Sequence, residues 1–600
     1  MTGRRSAVGD RPLETARSAV LPGAPQPPHL GFQIHSRWAV AGLLSLSLLF
    51  TSLIPAPLDQ WYLAYVCLVP WLIVIGGTAL ARRVYVFAWV LGFAFFLINM
   101  RWMYAPTGVG YVALSAYLAC YFPLAACPIR HAVRRRRIPL AIAVPVVWVG
   151  AEFLRGLVLS GFPWFFLAHS QYRILPVIQI SDLVGAYGVT FVLAAVNGAI
   201  ADLIFARYRQ GQSDLARSQR RRARRGAVTA LALLVLTVVY GVYRLNQDTI
   251  SDGPAIALLQ HDHPNYTERD QSRDEPGPHE KRSMYFDLMR AALPGAPDLY
   301  LFPETAWAWM YLNKEYRDQA QSELRNPALR GVLAFSVECY DLLQSWATET
   351  GASIVIGSMS VTPTPLSLKG TQILHNSAFH FKPGGSEPNR HDKIHPVLFG
   401  ETVPFRYGRL RALYFWLNAL SPFGAEGYEY SLTPGDDVEV FQMRTRIGES
   451  FRFGVLICYE DVMPYVCRRF VHDAAIPGKR VDFLLNISND GWFLHGHELQ
   501  QHFAICTFRA VENRVGIART VNTGISGFIR PDGRAHDALG VGQVGHLVAR
   551  VAVDTRSSLY SRIGDVFAIA CAVVWLLLYL DYILARILSA RSATREVSPQ

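Results

Sequence analysis

Cys458 ends the apolar run Phe453 to Ile457 and passes at once into Tyr459, Glu460 and Asp461. A β-type run that stops at a small nucleophile puts the attacking atom at a strand end, as many hydrolases and acyltransferases do. Alone, the thiol reads more readily as a buried structural cysteine. Two more residues stand at or just past apolar runs: Glu304 closes YLFPE, and Lys393 lies in RHDKIHPVLFGE. A cysteine nucleophile needs a base for its proton, and the oxyanion formed on attack needs a cation or an N–H donor. Glu304, Cys458 and Lys393 supply those chemistries, although singly the first is also a solvated carboxylate and the last a surface charge.

Metal and disulfide chemistry find no pattern. Of eight cysteines, Cys67, Cys120, Cys127 and Cys571 lie in apolar segments, and Cys339, Cys458, Cys467 and Cys506 have neither metal-ligand nor dense disulfide spacing. No metal and no cofactor is expected.

The elements that must hold these residues fall into two kinds. The chain has 600 residues, 51% of them hydrophobic, and a mean hydropathy of +0.18. That is too long for one ordinary domain and too apolar for an ordinary soluble enzyme. Residues 1–36, rich in Arg, Pro, Gly and Ser, are expected to be a disordered cytoplasmic N-terminus. Seven apolar segments follow within 37–246, near Trp38 to Pro55, Trp61 to Leu80, Val84 to Met100, Val109 to Pro128, Pro139 to Leu159, Tyr187 to Phe205 and Ala227 to Tyr243. Each approaches the ~20 residues of a membrane-spanning helix. An eighth, Val566 to Leu584, lies in 561–600. The fifth carries Glu152 and Arg155, charges that need an interior, watery or interfacial setting.

Loop charge sets the topology. The net charge of +12 comes largely from arginines between apolar segments: Arg82 and Arg83, Arg134 to Arg137, and a cluster at Arg217 to Arg225. Alternate loops are nearly free of basic residues, so by the positive-inside bias both termini read as cytoplasmic. The region 247–560 then faces the opposite side. Its lack of aromatic and basic interleaving gives no sign of nucleic-acid binding.

In that region short β-like runs recur: Ala255 to Leu259, Asp298 to Phe302, Ser353 to Gly357, Ser377 to Phe381, Gly454 to Ile457, Phe483 to Ile487, Gly516 to Thr520 and Gly527 to Arg530. Helical spacing at Met284 to Ala292 and Leu342 to Thr350 lies between them. An α/β sandwich of about 300 residues follows. Pro363 to Pro365 and Lys382 to Pro388 read as surface loops.

The order of PET, HDKIHPVLFGETVP and ICYED resembles the nitrilase superfamily, and their setting between seven spans and one resembles the membrane-embedded apolipoprotein N-acyltransferases. GFPWFFLAHSQY, Asn376, Glu401 in FGETVPF, Tyr459, Glu460, NDGWF with Trp492, Gln501, His502 and NTGISG fall on motifs of that family. The resemblance implies a multi-span helical membrane domain plus an extracytoplasmic nitrilase-like αββα sandwich, in a bacterial inner membrane with the catalytic domain facing the periplasm. It implies an acyl transfer through a Cys thioester, from a phospholipid donor to the α-amino group of an S-diacylglyceryl-cysteine lipoprotein, by a monomer that uses the bilayer and no nucleic acid. Cys458 is implied as nucleophile, Glu304 as base, Lys393 as oxyanion cation and the Tyr459 N–H as a second donor. A membrane-bound nitrilase-type amidase or lipid hydrolase is the alternative.

Four local expectations follow. Lys393 should depress the Cys458 pKa. Glu401 and Glu460 should position Lys393 and the backbone, or form a supporting ion pair. TAWAWMYL after Glu304 and RLRALYFWLNAL after Glu401 are expected to be mobile arms that touch the membrane, or else to pack inside the domain. The loop Gln260 to Arg282 has no tryptophan, where the family commonly has one, and Tyr266 is the nearest aromatic.

Overall fold

The computed structural model describes residues 34–78, 83–208, 214–263, 277–307, 311–323, 330–362, 373–406, 408–419 and 431–595. Residues 1–33, Trp309 with its neighbours 308 and 310, Tyr266 and Pro363 to Pro365 lie outside them.

Each of the eight apolar segments is helical where described. The long helices Ala186–Tyr208 and Asp214–Leu245, the pair Gly108–Ala119 and Tyr121–Arg134, and Val566–Arg595 contain the stretches long and apolar enough to cross a bilayer by themselves. Shorter apolar helices at Arg37–Leu53, Trp61–Gly77 and Arg83–Asn99 pack on them, with Leu140–Arg155 in the middle. Leu231, Leu236, Val239, Leu576 and Leu577 point outward, which in lipid exposes no polar group. The fourth segment runs further than its sequence implied, to Arg134, so Arg130 and Arg134 lie within the helix and donate to the carbonyls of Ile75, Gly76 and Thr78.

Glu152 and Arg155 are interior and both hold the chain that follows them. Glu152 accepts from Trp148 Nε1 (3.0 Å), Leu167 N (2.8 Å) and Thr190 Oγ1 (2.8 Å). Arg155 donates to the carbonyls of Trp164 (2.9 Å) and Phe165 (3.2 Å). Burying charges this deeply requires partners of this kind. Their effect is to fix the segment Gly161–Phe166 against the base of the sheet domain.

That domain contains strands β1 (Ile250–Gln260), β2 (Leu299–Leu301), β3 (Ser353–Thr362), β4 (Ile373–Phe381), β5 (Asn389–Asp392), β6 (Phe441–Arg444), β7 (Ser450–Ile457), β8 (Phe483–Ser488), β9 (Gly516–Val521), β10 (Ser526–Ile529), β11 (Ala535–Leu539) and β12 (Gly545–Asp554). They form two six-stranded sheets, β12-β1-β2-β3-β4-β5 and β11-β10-β9-β8-β7-β6. β1, β2 and β3 run parallel in one, β7, β8 and β9 in the other. Ile256, Leu258, Leu301 and Val355 face Val455, Ile457, Leu485 and Ile487 between the sheets. Both faces of the central strands are covered, hence their nearly unbroken apolar sequences.

Helices Pro278–Ala292 and Arg330–Thr350 cover the outside of the first sheet. Helix Glu498–Asn513 covers the second, and it packs two ways. Phe503, Cys506 and Ala510 meet the sheet, whereas Ala504, Ile505, Phe508 and Val511 join the core of the membrane helices.

Candidate active site

Each reactive residue stands just past the end of a strand. Glu304 follows β2, Lys393 follows β5 and Cys458 follows β7, so the sandwich gathers them where the central parallel strands of both sheets end. β7 stops at Cys458 because that residue takes φ +51 and opens the 3-10 turn Cys458–Asp461. Thr305, next to Glu304, has φ +44. Left-handed non-glycine backbone of this kind is strain held at a site by its surroundings.

Glu304 is buried and saturated with donors. Its Oε1 accepts from Asn376 Nδ2 at 2.6 Å and faces Lys393 Nζ at 3.4 Å, while its Oε2 accepts from the Asn489 N–H at 2.9 Å. The Cys458 thiol is within its hydrogen-bonding reach. Lys393 pairs more closely with Glu401, at 2.8 Å to Oε2 and 3.0 Å to Oε1. Glu401 Oε2 also accepts from the Val397 N–H at 2.8 Å. The fourth member, Asn376 on β4, donates to both carboxylates.

Glu460 does backbone work. Its Oε1 accepts from the N–H groups of Ile394 (2.7 Å) and His395 (3.2 Å), its Oε2 from that of Ile457 (2.8 Å). One carboxylate thus ties the Lys393 loop to the Cys458 strand.

The electrostatics overturn one expectation. Burial pushes the Cys458 thiol well above its usual pKa, Glu304 adds to this, and the Lys393 charge opposes it without prevailing. Glu304 is raised too, by burial first and then by Glu401, against Lys393. Lys393 is held well above the ordinary lysine range: burial works against its charge, but Glu401, Glu304 and Cys458 outweigh that.

Aromatic rings roof the turn from the membrane side. Tyr459 stacks on Trp164 (6.4 Å between centroids, 8° between planes) and on His395 (6.0 Å, 22°), and its hydroxyl donates to the Gly161 carbonyl at 3.1 Å. Trp164 and Trp102 both donate to Gln501 Oε1, at 2.9 and 3.2 Å. Trp492 is half-buried in the turn Asp490–Phe493, directly after Asn489.

The two aromatic stretches part ways. Trp307 is buried against Tyr285, Phe286 and Phe302, so that part of TAWAWMYL belongs to the domain core and not to a membrane-touching arm. Helix Arg411–Ala419 instead leaves Leu413, Phe415 and Trp416 exposed beside Leu410.

Several partners escaped the sequence reading: the Asn489 N–H on Glu304, and a buried cluster of Asp461, Asp490, Glu498, His502 and Arg519 beneath the site. The arginine was the available signal, since a charge inside the otherwise apolar strand GIARTV must have buried partners. Donor atoms of Asp490, Glu498 and His502 lie within 4.8 Å of one another, close enough for a metal ion. Arg519 already bonds Asp461 and Asp490, at 2.9 Å each, so the cluster carries its own counter-charge.

A Cys–Glu–Lys cluster at the strand ends of an αββα sandwich, seated on an apolar helical bundle, fits a membrane-embedded member of the carbon-nitrogen hydrolase superfamily. Residues 274–559 match the carbon-nitrogen hydrolase domain and residues 47–199 the apolipoprotein N-acyltransferase N-terminal domain. The apolipoprotein N-acyltransferase of Geobacter metallireducens is 32% identical over 462 residues, covering 76% of this chain and 77% of that one. That of Rhodopseudomonas palustris is 26% identical over 592 residues, covering 90% and 95%. An amidase from Nesterenkonia sp. aligns in structure at 18% identity, over 53% of this chain and 95% of that chain, with a TM-score of 0.31. The chain belongs to the apolipoprotein N-acyltransferases, acyltransferases of the carbon-nitrogen hydrolase superfamily.

Proposed function

We propose that this protein N-acylates lipoproteins in two half-reactions at Cys458, taking the acyl chain from a phospholipid. In the first, Glu304 removes the thiol proton as sulfur attacks the ester carbonyl. The S–C bond forms, the ester C–O bond breaks, and the proton passes to the departing alkoxide, which leaves as lysophospholipid. In the second, the α-amine of an S-diacylglyceryl cysteine attacks the thioester. The N–C bond forms, the C–S bond breaks, and Glu304 carries the amine proton to the sulfur. Lys393 and the Tyr459 N–H stabilise the oxyanion in both steps.

The observation that carries this reading is the position of Glu304, in reach of the Cys458 thiol and 3.4 Å from Lys393. A buried thiol beside a carboxylate that faces it suits proton transfer concerted with attack, with Glu304 as the acceptor. A thioester keeps the acyl group activated without nucleotide or metal. The exposed apolar helix Arg411–Ala419 would rest on the bilayer surface, giving the site a lipid-facing side.

The same reading divides the chain into a membrane domain over 37–246, a catalytic domain over 247–560 and a last span with a cytoplasmic tail over 561–600. The arginine-rich loops support a catalytic domain that faces the periplasm from a bacterial inner membrane. The test is intact-mass detection of an acyl adduct on the purified protein in detergent with phospholipid. A hydroxylamine-labile adduct on wild type and none on Cys458→Ser is expected. Free fatty acid released without transfer to an amine acceptor would replace the transferase reading with a hydrolase.

A further inference from the structure

Beneath the reactive residues lies a set of buried ionisable groups that the acyl transfer does not use. His502, in helix Glu498–Asn513, is only 2% exposed. Its Nε2 lies 2.6 Å from Asp461 Oδ1, and its Nδ1 lies 3.2 Å from Asp490 Oδ1 and 3.3 Å from Glu498 Oε1. Arg519 on β9 donates to Asp461 Oδ2 and Asp490 Oδ2, and also to Asn486 Oδ1. Ser488 Oγ donates to Asp490 Oδ1 at 2.5 Å. The Cys506 thiol faces Asp461, and the Trp164 ring covers the imidazole at 5.6 Å.

Both ring nitrogens of His502 meet carboxylate oxygens, a setting that favours the doubly donating imidazole, which is a cation. Burial works against that charge, but Asp461 and Asp490 outweigh it and hold the pKa well above the usual value, even with Arg519 nearby. The two cations His502 and Arg519 then balance the two aspartates. The third carboxyl, Glu498, is pushed up to about 7 by burial and then by Asp490.

What His502 spans gives the cluster its meaning. Asp461 closes the turn that Cys458 opens, and Asp490 follows Asn489, whose N–H is bonded to Glu304. One side chain therefore joins the turn of the nucleophile to the turn that supports the base. Asp490 also acts through space, because its charge disfavours the Cys458 thiolate.

We propose that His502 is a positioning residue for the acyl-transfer reaction: a buried cation that locks the Cys458 turn to the Asn489 turn and offsets the charge of Asp490 at the sulfur. The inference rests on Cys458 being the nucleophile, and its test reads the sulfur directly. The experiment is the pH dependence of Cys458 alkylation by iodoacetamide in the full-length protein in detergent, followed by peptide mass mapping. Cys120, the exposed cysteine, is replaced by alanine throughout.

His502→Gln removes the positive charge that offsets Asp490, whose own charge acts on the sulfur, so its profile should move up by about one pH unit. The turnover number should fall about tenfold while the KM for phospholipid stays within about twofold, because the lost support acts on the reacting atoms and not on lipid binding. Asp490→Asn should move the profile the other way, and the double variant should return it close to wild type. A lowered melting temperature with an unmoved profile in His502→Gln would make the residue purely structural and overturn the proposal. If that variant fails to fold, an unmoved profile in Asp490→Asn overturns it equally. Stoichiometric metal in the purified protein would also overturn it, since the charge balance would then be the ion's. The expected shifts in a protein that forms no acyl adduct would sink the acyl-transfer reading and leave His502 as a positioning residue of the Cys458 turn for another reaction of that thiol.

Discussion

One amide nitrogen, Asn376 Nδ2, donates to Glu304 Oε1 at 2.6 Å and to Glu401 Oε1 at 2.8 Å. Lys393 Nζ touches the same two oxygens, at 3.4 and 3.0 Å. Two carboxylates thus share two donors, and the amide keeps Glu304 aimed while Lys393 leans to Glu401. Asn376→Asp would replace the shared donor with a third carboxylate. Loss of one aligned donor from a reacting centre costs about 10²–10³ in rate, and thioester formation in a single-turnover assay should fall by at least about a hundredfold.

Glu401→Gln should separate rate from pH dependence. The Glu401 charge raises Glu304 and opposes thiolate formation at Cys458. Removing it lowers the pKa of the base, so the base stays ionised further into acid. The acid limb of the acylation rate should move down by about one pH unit, while the plateau falls because Lys393 loses its nearest partner. An acid limb that stays put would show that Glu304 does not set it.

Gly357 on β3 backs directly onto the base. A Cβ there would lie 2.6 Å from Glu304 Cα and 2.8 Å from the Pro303 carbonyl oxygen, which is backbone that cannot yield cheaply. Gly357→Ala should destabilise the domain by about 1–3 kcal/mol and abolish the acyl adduct by displacing Glu304. Thermal unfolding and intact mass read the two effects separately.

His380 gives the domain an acid weakness. It lies between Phe441 and Phe453 with neither ring nitrogen hydrogen-bonded, and burial, then Lys382, push its pKa down to about 3. Unfolded, the ring titrates near ~6.5. Below that pH the unfolded chain binds a proton the native state refuses, so stability is intact above ~6.5 and drains as pH falls toward 3, by about 1.4 kcal/mol per unit. Urea midpoints for His380→Leu should lose part of this slope between pH 7 and 5. An identical slope in the variant would assign the acid sensitivity to other groups.

The sequence disclosed what is repetitive and apolar. The strand cores of β1 to β4 and β7 to β10 were readable because burial on both faces leaves uninterrupted apolar runs. β5, β6, β11 and β12 were not: NRHD, FQMR and AHDAL lie at or beside sheet edges, where exposure dilutes the signal. Glu304 and Cys458 could be singled out because each stands just past an apolar run, whereas Lys393, after the polar NRHD, was legible only through the motif HDKIHPVLFGETVP. Asn489 could not, because it acts through its backbone N–H, which any residue type supplies. The thiol pKa was misjudged for a physical reason. Spacing announces that a lysine is near, but only the fold reveals how far burial and three carboxylates outweigh it.

Helix Glu498–Asn513 has no side that belongs to solvent. Its carboxyl end carries the same message in charge: Glu512 accepts from the Ala186 N–H at 2.8 Å, and Arg514 holds Asp182 at 2.6 Å, which Arg244 grips from the last helix before β1. A cut at 246 would sever a linker in the sequence and a core in space. The hydrolase half is therefore not a passenger on an anchor. The two halves share one core along this helix, so each should lose stability when it is expressed without the other.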